Sequence, residues 1–207
     1  MANDLIGLGK ALEASAELTK EARQIIFNLL GPASKEAGEL VGDALHNLRF
    51  KIAIKTLDRT RNLLKEKNIC PHSVSAKLIV PILQNCSLEE DEELSERWSG
   101  LLASAASGEQ IHDSYPRLLA ELTPVDARIL DRAYEQKLGD DPLLKIDDWE
   151  GTWIPNKDQL RISVDNLYRL RLLAPFIVDK NWPATQFHNA SITPLGEDFV
   201  RKCRGPE

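Results

Sequence analysis

Apolar residues recur every three to four positions along most of the chain, which is the period of helices that bury one face. In the first part of the sequence, Gly31-Pro32 interrupts the pattern and Cys70-Pro71 ends it. Both pairs favour turns over helix. The run between them, from Ser34 to about Asn68, would be ~45 Å long at 1.5 Å per residue. The pattern therefore predicts a long N-terminal helical hairpin.

Shorter helices are predicted after the hairpin, at about 75–85, 90–107, 116–122 and 124–137. Leu88 and Trp98 fall on the predicted apolar face of the second of these. The last one has Thr123 as its capping residue and Pro124 at its first helical position, where proline is favoured. We place a domain boundary near Leu122, because loops and strands are predicted after the helical region that ends there.

The C-terminal part predicts a different arrangement. A loop-rich stretch (138–155) precedes a helix that ends at about Leu173. Two strands are predicted next, at 176–178 and 190–193, and a final helix runs to Cys203. Three helices, a two-stranded wing and a last helix are the outline of a winged helix. The predicted fold is mainly α: a helical arm (1–69), a compact helical region (70–122) and a winged-helix-like domain with a small β-hairpin (123–207).

Charge is segregated along the chain, although the net charge is only -6. Six acidic residues lie between positions 89 and 96, and a basic stretch precedes them. The stretch could contact anionic lipid or nucleic acid, or it could pair with the acidic segment. We favour pairing. The residues of this basic arm are Arg49, Lys51, Lys55, Arg59, Arg61 and Lys65.

Composition predicts a cytoplasmic protein. No run approaches the ~20 apolar residues of a membrane-spanning helix, and the first residues lack the features of a secretory signal. The three cysteines are widely spaced, which favours reduced thiols over a disulfide framework.

Motifs that carry chemistry are not found. The four histidines are isolated in sequence, and consecutive carboxylates on a helix point in different directions and do not converge on a cation. Phosphate-binding, nucleophile-elbow and zinc-protease motifs do not occur. We therefore predict no catalytic residue, no metal site and no cofactor, and a protein that is not an enzyme.

The helix that ends at Leu173 occupies the place of a recognition helix in a winged helix. Arginine and asparagine can read base edges, and lysine can meet phosphates. The alternative is a helix used for protein contacts or for the fold alone, because Asp165 would repel phosphate. The candidate contact residues are Arg161, Asn166, Tyr168, Arg169, Arg171 and Lys180.

One segment resembles the Abi-alpha family of bacterial phage-defence proteins. It runs from Lys77 to Ala106 and joins a proline and aliphatic residues, an acidic turn, and a helix with one tryptophan. Later pieces, including Ile192–Phe199, follow in the family's order, so the resemblance covers about 70–203. Arg171 is a departure, because the family has glycine there. The motif residues are Pro81, Glu90, Asp91, Glu92, Leu94, Trp98 and Leu102.

The resemblance implies abortive infection, which we expect to work by binding and assembly and not by catalysis. A protein partner or self-association would then be required. Two alternatives stay open: a winged-helix transcriptional regulator that binds DNA, and an effector whose N-terminal helices perturb a membrane.

Overall fold

The computed structural model describes residues 50–137, 144–145, 157–175 and 189–207. These residues form seven helices and one small antiparallel sheet, so the predicted mainly α fold is confirmed. They divide into two compact units. The first contains the described residues up to Pro116 together with Arg204–Glu207, and the second contains Arg117–Cys203. The three-part division of the sequence stays a prediction, and most of the predicted helical hairpin lies outside the described residues.

The first unit is built around a central helix. Its helices are α1 (Phe50–Glu66), α2 (Ala76–Cys86) and α3 (Glu92–Ala106), and α4 (Tyr115–Ala120) begins at its edge. Helix α3 packs against both α1 and α2. Trp98, Leu101 and Leu102 on α3 are almost completely inaccessible to solvent, as is Leu57 on α1. Burial of these side chains supplies the main stabilisation of the unit.

Small residues on α3 bring α1 close to it. Ser99 and Gly100 are buried there, and Thr60 on α1 donates a hydrogen bond to the carbonyl oxygen of Ser99 over 3.2 Å. The close contact fixes the orientation of α1, and with it the side of α1 that faces the start of α3.

Helix α1 ends through the backbone of Asn68. This residue is left-handed (φ 55), the amide of Ile69 bonds to the carbonyl of Leu64 over 2.9 Å, and Asn68 N bonds to Lys65 O. This pattern is a Schellman motif, in which asparagine tolerates the left-handed position better than most residues. The predicted end near Asn68 is therefore two residues beyond the observed last helical residue.

The second unit places helices against a three-stranded sheet. It contains α5 (Pro124–Lys137), β1 (Leu144–Lys145), α6 (Lys157–Arg169), β2 (Leu173–Pro175), β3 (Asn189–Ile192) and all but the last residue of α7 (Pro194–Arg204). The sheet order is β1-β3-β2, and both pairings are antiparallel. Leu173 lies opposite Ile192. Ile129, Leu167 and Phe199 are buried in the core of this unit.

Two sequence predictions are wrong in detail. The helix expected to reach Leu173 ends at Arg169, because Arg171 adopts a left-handed conformation (φ 60) that closes the helix, and Leu173 then begins β2. The strand predicted at 176–178 lies outside the described residues. Leu88 is 68% exposed and does not belong to the apolar face of α3. It precedes the Asp91 cap, so the helical period does not extend to it.

The order of elements from α5 to β3, and the strand order β1-β3-β2, are those that a winged helix would have. Residues 138–143 and 146–156, where a further helix of a winged helix would lie, are outside the described part of the chain. The winged-helix interpretation stays a prediction.

Candidate functional site

Two residues of the basic arm are held by one carboxylate of the acidic segment. Lys55 Nζ lies 2.6 Å from Glu92 Oε2, and Arg59 contacts Glu92 Oε1. Arg59 also reaches the hydroxyl of Ser95 over 3.3 Å. The hydrogen bond from Lys55, followed by that from Arg59, lowers the pKa of Glu92 below its ordinary value. The prediction that the basic arm pairs with the acidic segment is therefore confirmed for Lys55 and Arg59.

The remaining residues of the basic arm are arranged differently. Arg61 is exposed and lies 3.1 Å from Asp58 on the same helix, and Lys65 is exposed near the end of α1. A cation in the last turn suits the negative end of the helix dipole. Arg49 and the side chain of Lys51 lie outside the described residues. In the described part of the arm, Arg61 and Lys65 are therefore the members that Glu92 does not bind.

The acidic segment organises the start of α3. Asp91 is the capping residue, and its carboxylate accepts a hydrogen bond of 3.0 Å from the amide of Leu94. Glu89 accepts a bond of 3.0 Å from the amide of Asp91. Carboxylates in this position are stabilised by the helix dipole. The acidic part of the family-like motif thus begins a helix, and Glu92 within it binds α1.

Most of the other motif residues belong to the packing of the first unit. Leu94, Trp98 and Leu102 lie in the core of the first unit. Pro81 sits inside α2 and cannot donate a backbone hydrogen bond. Its carbonyl accepts a 2.7 Å bond from the side chain of Asn85. Glu90 is exposed.

A polar network joins α5 to α6 in the second unit. The Asp126 carboxylate, 1% exposed, accepts hydrogen bonds from the amide of Thr123 over 2.9 Å and from Asn166 Nδ2 over 3.1 Å. The Thr123 hydroxyl in turn accepts a bond from the amide of Asp126. This is a reciprocal cap at the start of α5. The hydrogen bond from Asn166 connects α6 to this cap.

Arg169 extends the network. Its guanidinium contacts Glu121 Oε2 at 2.6 Å and donates to Asn166 Oδ1 at 2.7 Å. Asn166 also donates to the carbonyl of Glu121. Two residues predicted to read DNA are therefore engaged inside the unit. The outward placement of Asn166 is wrong, because its amide donates to Oδ2 of the buried Asp126 carboxylate.

The other predicted contact residues of this region separate into three groups. Arg161 and Arg171 are exposed. Tyr168 is half-buried, and burial raises its pKa to about 12, so its outward placement is wrong in part. Lys180 lies outside the described residues. Whether any of them binds a nucleic acid or a protein stays a prediction.

Two features of the second unit were missed by sequence reasoning: the exposed Ile162 on α6 and the buried Asp126 carboxylate that binds Asn166. Ile162 is 70% exposed, one residue after Arg161 and three before Asp165. Its position relative to the buried Val164 and Leu167 would have shown that it points away from the core. Asp126 was also missed, although Thr-Pro-x-Asp has the spacing of a cap with a carboxylate three residues on.

The thiols and histidines of the described residues are not grouped. Burial raises the pKa of Cys86 to about 12, which keeps it a neutral thiol at physiological pH. Cys70 and His72 are exposed in the connection before α2, and His112 bonds to Ser114. In the described ranges, no three His, Cys, Asp or Glu side chains come together as a metal site would require. Among the helices that the structure describes, none combines the length and apolar character required to span a bilayer.

The fold and its surfaces define a mainly helical protein whose charged residues organise helix ends and helix pairs. The sequence model of the family described as abortive infection alpha matches residues 46–203. No curated protein and no solved structure shows a match.

Because the family match spans more than half of the chain, the protein belongs to the abortive infection alpha family. The resemblance drawn from 70–203 is confirmed, and the match begins earlier, at residue 46. Membership supports a role in antiviral defence.

Proposed function

We propose that this protein acts in the cytoplasm as an abortive-infection factor, and that it works by binding and assembly. The observation that carries the proposal is the family match, which includes most of α1 to α7 and so involves both units. The cytoplasmic location is supported by the three cysteines, which form no disulfide and so suit a reducing compartment. A binding role is supported by the exposed charged and apolar side chains of α6, which Arg161, Ile162 and Asp165 provide.

The role in defence is tested by the efficiency of plating of a broad phage panel on cells that express the full chain. The control is the same gene with an early stop codon, so that transcription is matched. We expect fewer or smaller plaques for at least one phage. Plaquing equal to the control across the whole panel would contradict the proposal.

Binding is separated from thiol or imidazole chemistry by removing the exposed groups of these two kinds, which are frequent nucleophiles and general bases. In the described residues the exposed thiol and imidazoles belong to Cys70, His72 and His112. The triple variant Cys70→Ser, His72→Gln, His112→Gln should protect as well as the wild type. Loss of protection by a variant that retains wild-type thermal unfolding would favour a catalytic role.

DNA binding is the second candidate function, because the strand order β1-β3-β2 suits a winged helix and Arg161 and Arg171 are exposed. A gel shift with the full chain and mixed duplex DNA tests it. Neutralising Arg161 and Arg171 together should abolish any shift if the helix reads DNA. Arg169 is a poor probe, because its loss would disturb the contacts with Glu121 and Asn166.

A further inference from the structure

Helix α6 carries an exposed face whose side chains have no partner among the residues that the structure describes. Ile162 is 70% exposed, and it is one of two large apolar side chains in the described part of the chain that stand out in this way. Arg161 and Asp165 flank it and are exposed. Neither makes a hydrogen bond or an ion pair with the described residues. We call Arg161, Ile162 and Asp165 the α6 face.

This face differs from charged surfaces whose side chains are paired. Lys55 and Arg59 share Glu92, Arg169 binds Glu121, and Lys137 binds Glu197. On the α6 face two opposite charges lie one helical turn apart, and neither forms an ion pair with a described residue. An apolar side chain between them would be buried by a partner that also supplies the complementary charges.

The spacing of the charges fits a second copy of the same helix. Residues four apart are about 6 Å apart along a helix axis. If two α6 helices run antiparallel about a two-fold axis near Ser163, Arg161 of each copy meets Asp165 of the other. The two Ile162 residues are then offset by about 3 Å along the direction of the helices, so their side chains can pack together. A two-fold interface requires this kind of self-complementary surface.

Nucleic acid fits the face less well. Asp165 is exposed one turn after Ile162, and Asp158 is exposed one turn before Ile162. Both carboxylates would repel a phosphate backbone, which gains its affinity from uninterrupted positive charge. The same carboxylates are required if the partner supplies arginine.

We propose that the α6 face is a self-association surface, which pairs antiparallel with the α6 face of a second copy. This inference deepens the proposed function and rests on it for the biological meaning of the assembly. Helix α6 has 13 residues and is about 20 Å long. A contact of that size falls below the ~1,200 Å² at which stable interfaces begin. The association is therefore expected to be weak and to depend on concentration.

A reciprocal charge exchange tests the pairing with the full chain. Sedimentation velocity from about 1 to about 200 µM should show the wild type shifting from monomer to dimer. Arg161→Asp and Asp165→Arg should each raise the dissociation constant at least about tenfold, because each places like charges opposite one another. The double variant Arg161→Asp, Asp165→Arg should return to within about threefold of the wild type, because the pairs are restored in reverse. A wild type that stays monomeric, single variants that dimerise normally, or a double variant that fails to recover would each overturn the proposal.

The apolar part has a matched control. Ile162→Ser should weaken the dimer about tenfold or more, whereas Leu88→Ser, at an equally exposed leucine of the first unit, should leave it unchanged. Thermal unfolding of each variant confirms that the fold is retained. Weakening by Leu88→Ser and not by Ile162→Ser would place the contact elsewhere. Binding of duplex DNA that Arg161→Asp abolishes and Asp165→Arg strengthens would assign the face to nucleic acid and overturn the proposal.

Measuring both self-association and phage protection of the same variants distinguishes failure of this inference from failure of the proposed function. If Arg161→Asp loses self-association but still protects, the α6 pairing stands and assembly through it is not the mechanism of defence. If the wild type protects while it stays monomeric at all concentrations, the α6 pairing is wrong and the defence role stands.

Discussion

Arg171 and Gly196 occupy neighbouring backbone positions where α6 ends and α7 begins, and both positions favour glycine. At Arg171 the reason is conformation. Its φ is 60, its amide bonds to Tyr168 O, and the amide of Leu172 bonds to Leu167 O over 3.0 Å. This is a Schellman motif, whose left-handed position is usually glycine. The glycine that the resemblance leads us to expect here is thus explained by the end of α6.

Arg171→Gly should stabilise the protein. A left-handed conformation costs a residue with a Cβ about 1–2 kcal/mol, and the greater chain entropy of glycine offsets about 0.5–1 kcal/mol of the gain. We expect an increase of about 0.5–1 kcal/mol in the free energy of unfolding, measured by urea denaturation. Arg171→Ala is the control and should change little, because alanine keeps the unfavourable conformation. A larger gain for alanine than for glycine would contradict this explanation of the family's glycine.

At Gly196 the reason is space. A Cβ there would lie 2.2 Å from the carbonyl oxygen of Leu172, which already accepts a hydrogen bond from the amide of Thr193. Thr193 also caps α7, because its hydroxyl accepts a 3.0 Å bond from Gly196 N. The threonine and the glycine of the closing family-like motif are therefore needed to bring the start of α7 against the end of α6.

Gly196→Ala should lower the free energy of unfolding by about 1–3 kcal/mol, because the backbone must move to relieve the contact. Gly205→Ala is an informative comparison. Its Cβ would have room, with the nearest atoms at 3.8 Å, but its φ is 98. Its loss should be the smaller of the two, set by backbone strain alone. Equal losses in urea denaturation would show that crowding at Gly196 does not dominate.

At the scale of elements, Glu92 links α1 to α3 at the edge of their buried contact. This carboxylate is exposed, yet it receives both Lys55 and Arg59. Its pKa lies below the ordinary value of 4.5 because these cations favour the charged form. A group with a lowered pKa stabilises the fold above its unfolded pKa, and this contribution is lost as the pH falls through the folded value.

Glu92→Gln should therefore reduce the acid sensitivity of the protein. Between pH 7 and about pH 3, the melting temperature of the wild type should fall by more than that of the variant, because only the wild type loses the ionised form of Glu92. Glu96→Gln is the control one turn along α3, at an exposed carboxylate without an ion pair among the described residues. Equal acid sensitivity of Glu92→Gln and the wild type would show that the contact contributes nothing in solution.

Elements whose ends are marked by local residues could be predicted from the sequence, whereas features that depend on packing could not. Helix α5 was predicted with its observed bounds, because Thr123 and Pro124 mark its start locally. The end of α6 was misplaced, because apolar residues continue to Leu173 and only the conformation of Arg171 stops the helix. The acidic segment was matched to the basic arm in general terms, but the choice of Glu92 depends on how α1 packs. The role of Asn166 was missed because it requires the buried Asp126, on a different helix, to be known.

At the scale of the whole molecule, two units are joined in one chain, and the family match includes residues of both. The last four residues belong to the first unit, where buried Gly205 lies near Gly100 and Leu63. A deletion of residues 1–68 would remove α1 and with it the buried Leu57 and Leu64. Such a variant would lose its core, so point substitutions in the full chain are the better probes of function.

The most direct test of the defence role is the growth of infected cultures at two phage doses, with the full chain and the stop-codon control. Abortive infection stops the infected cell and spares its neighbours. We therefore expect cultures that express the protein to survive a low dose and to collapse at a dose that infects every cell. Survival at both doses would show that the infection itself is blocked, and collapse at both would show no protection. Either result would contradict abortive infection as the function of this protein.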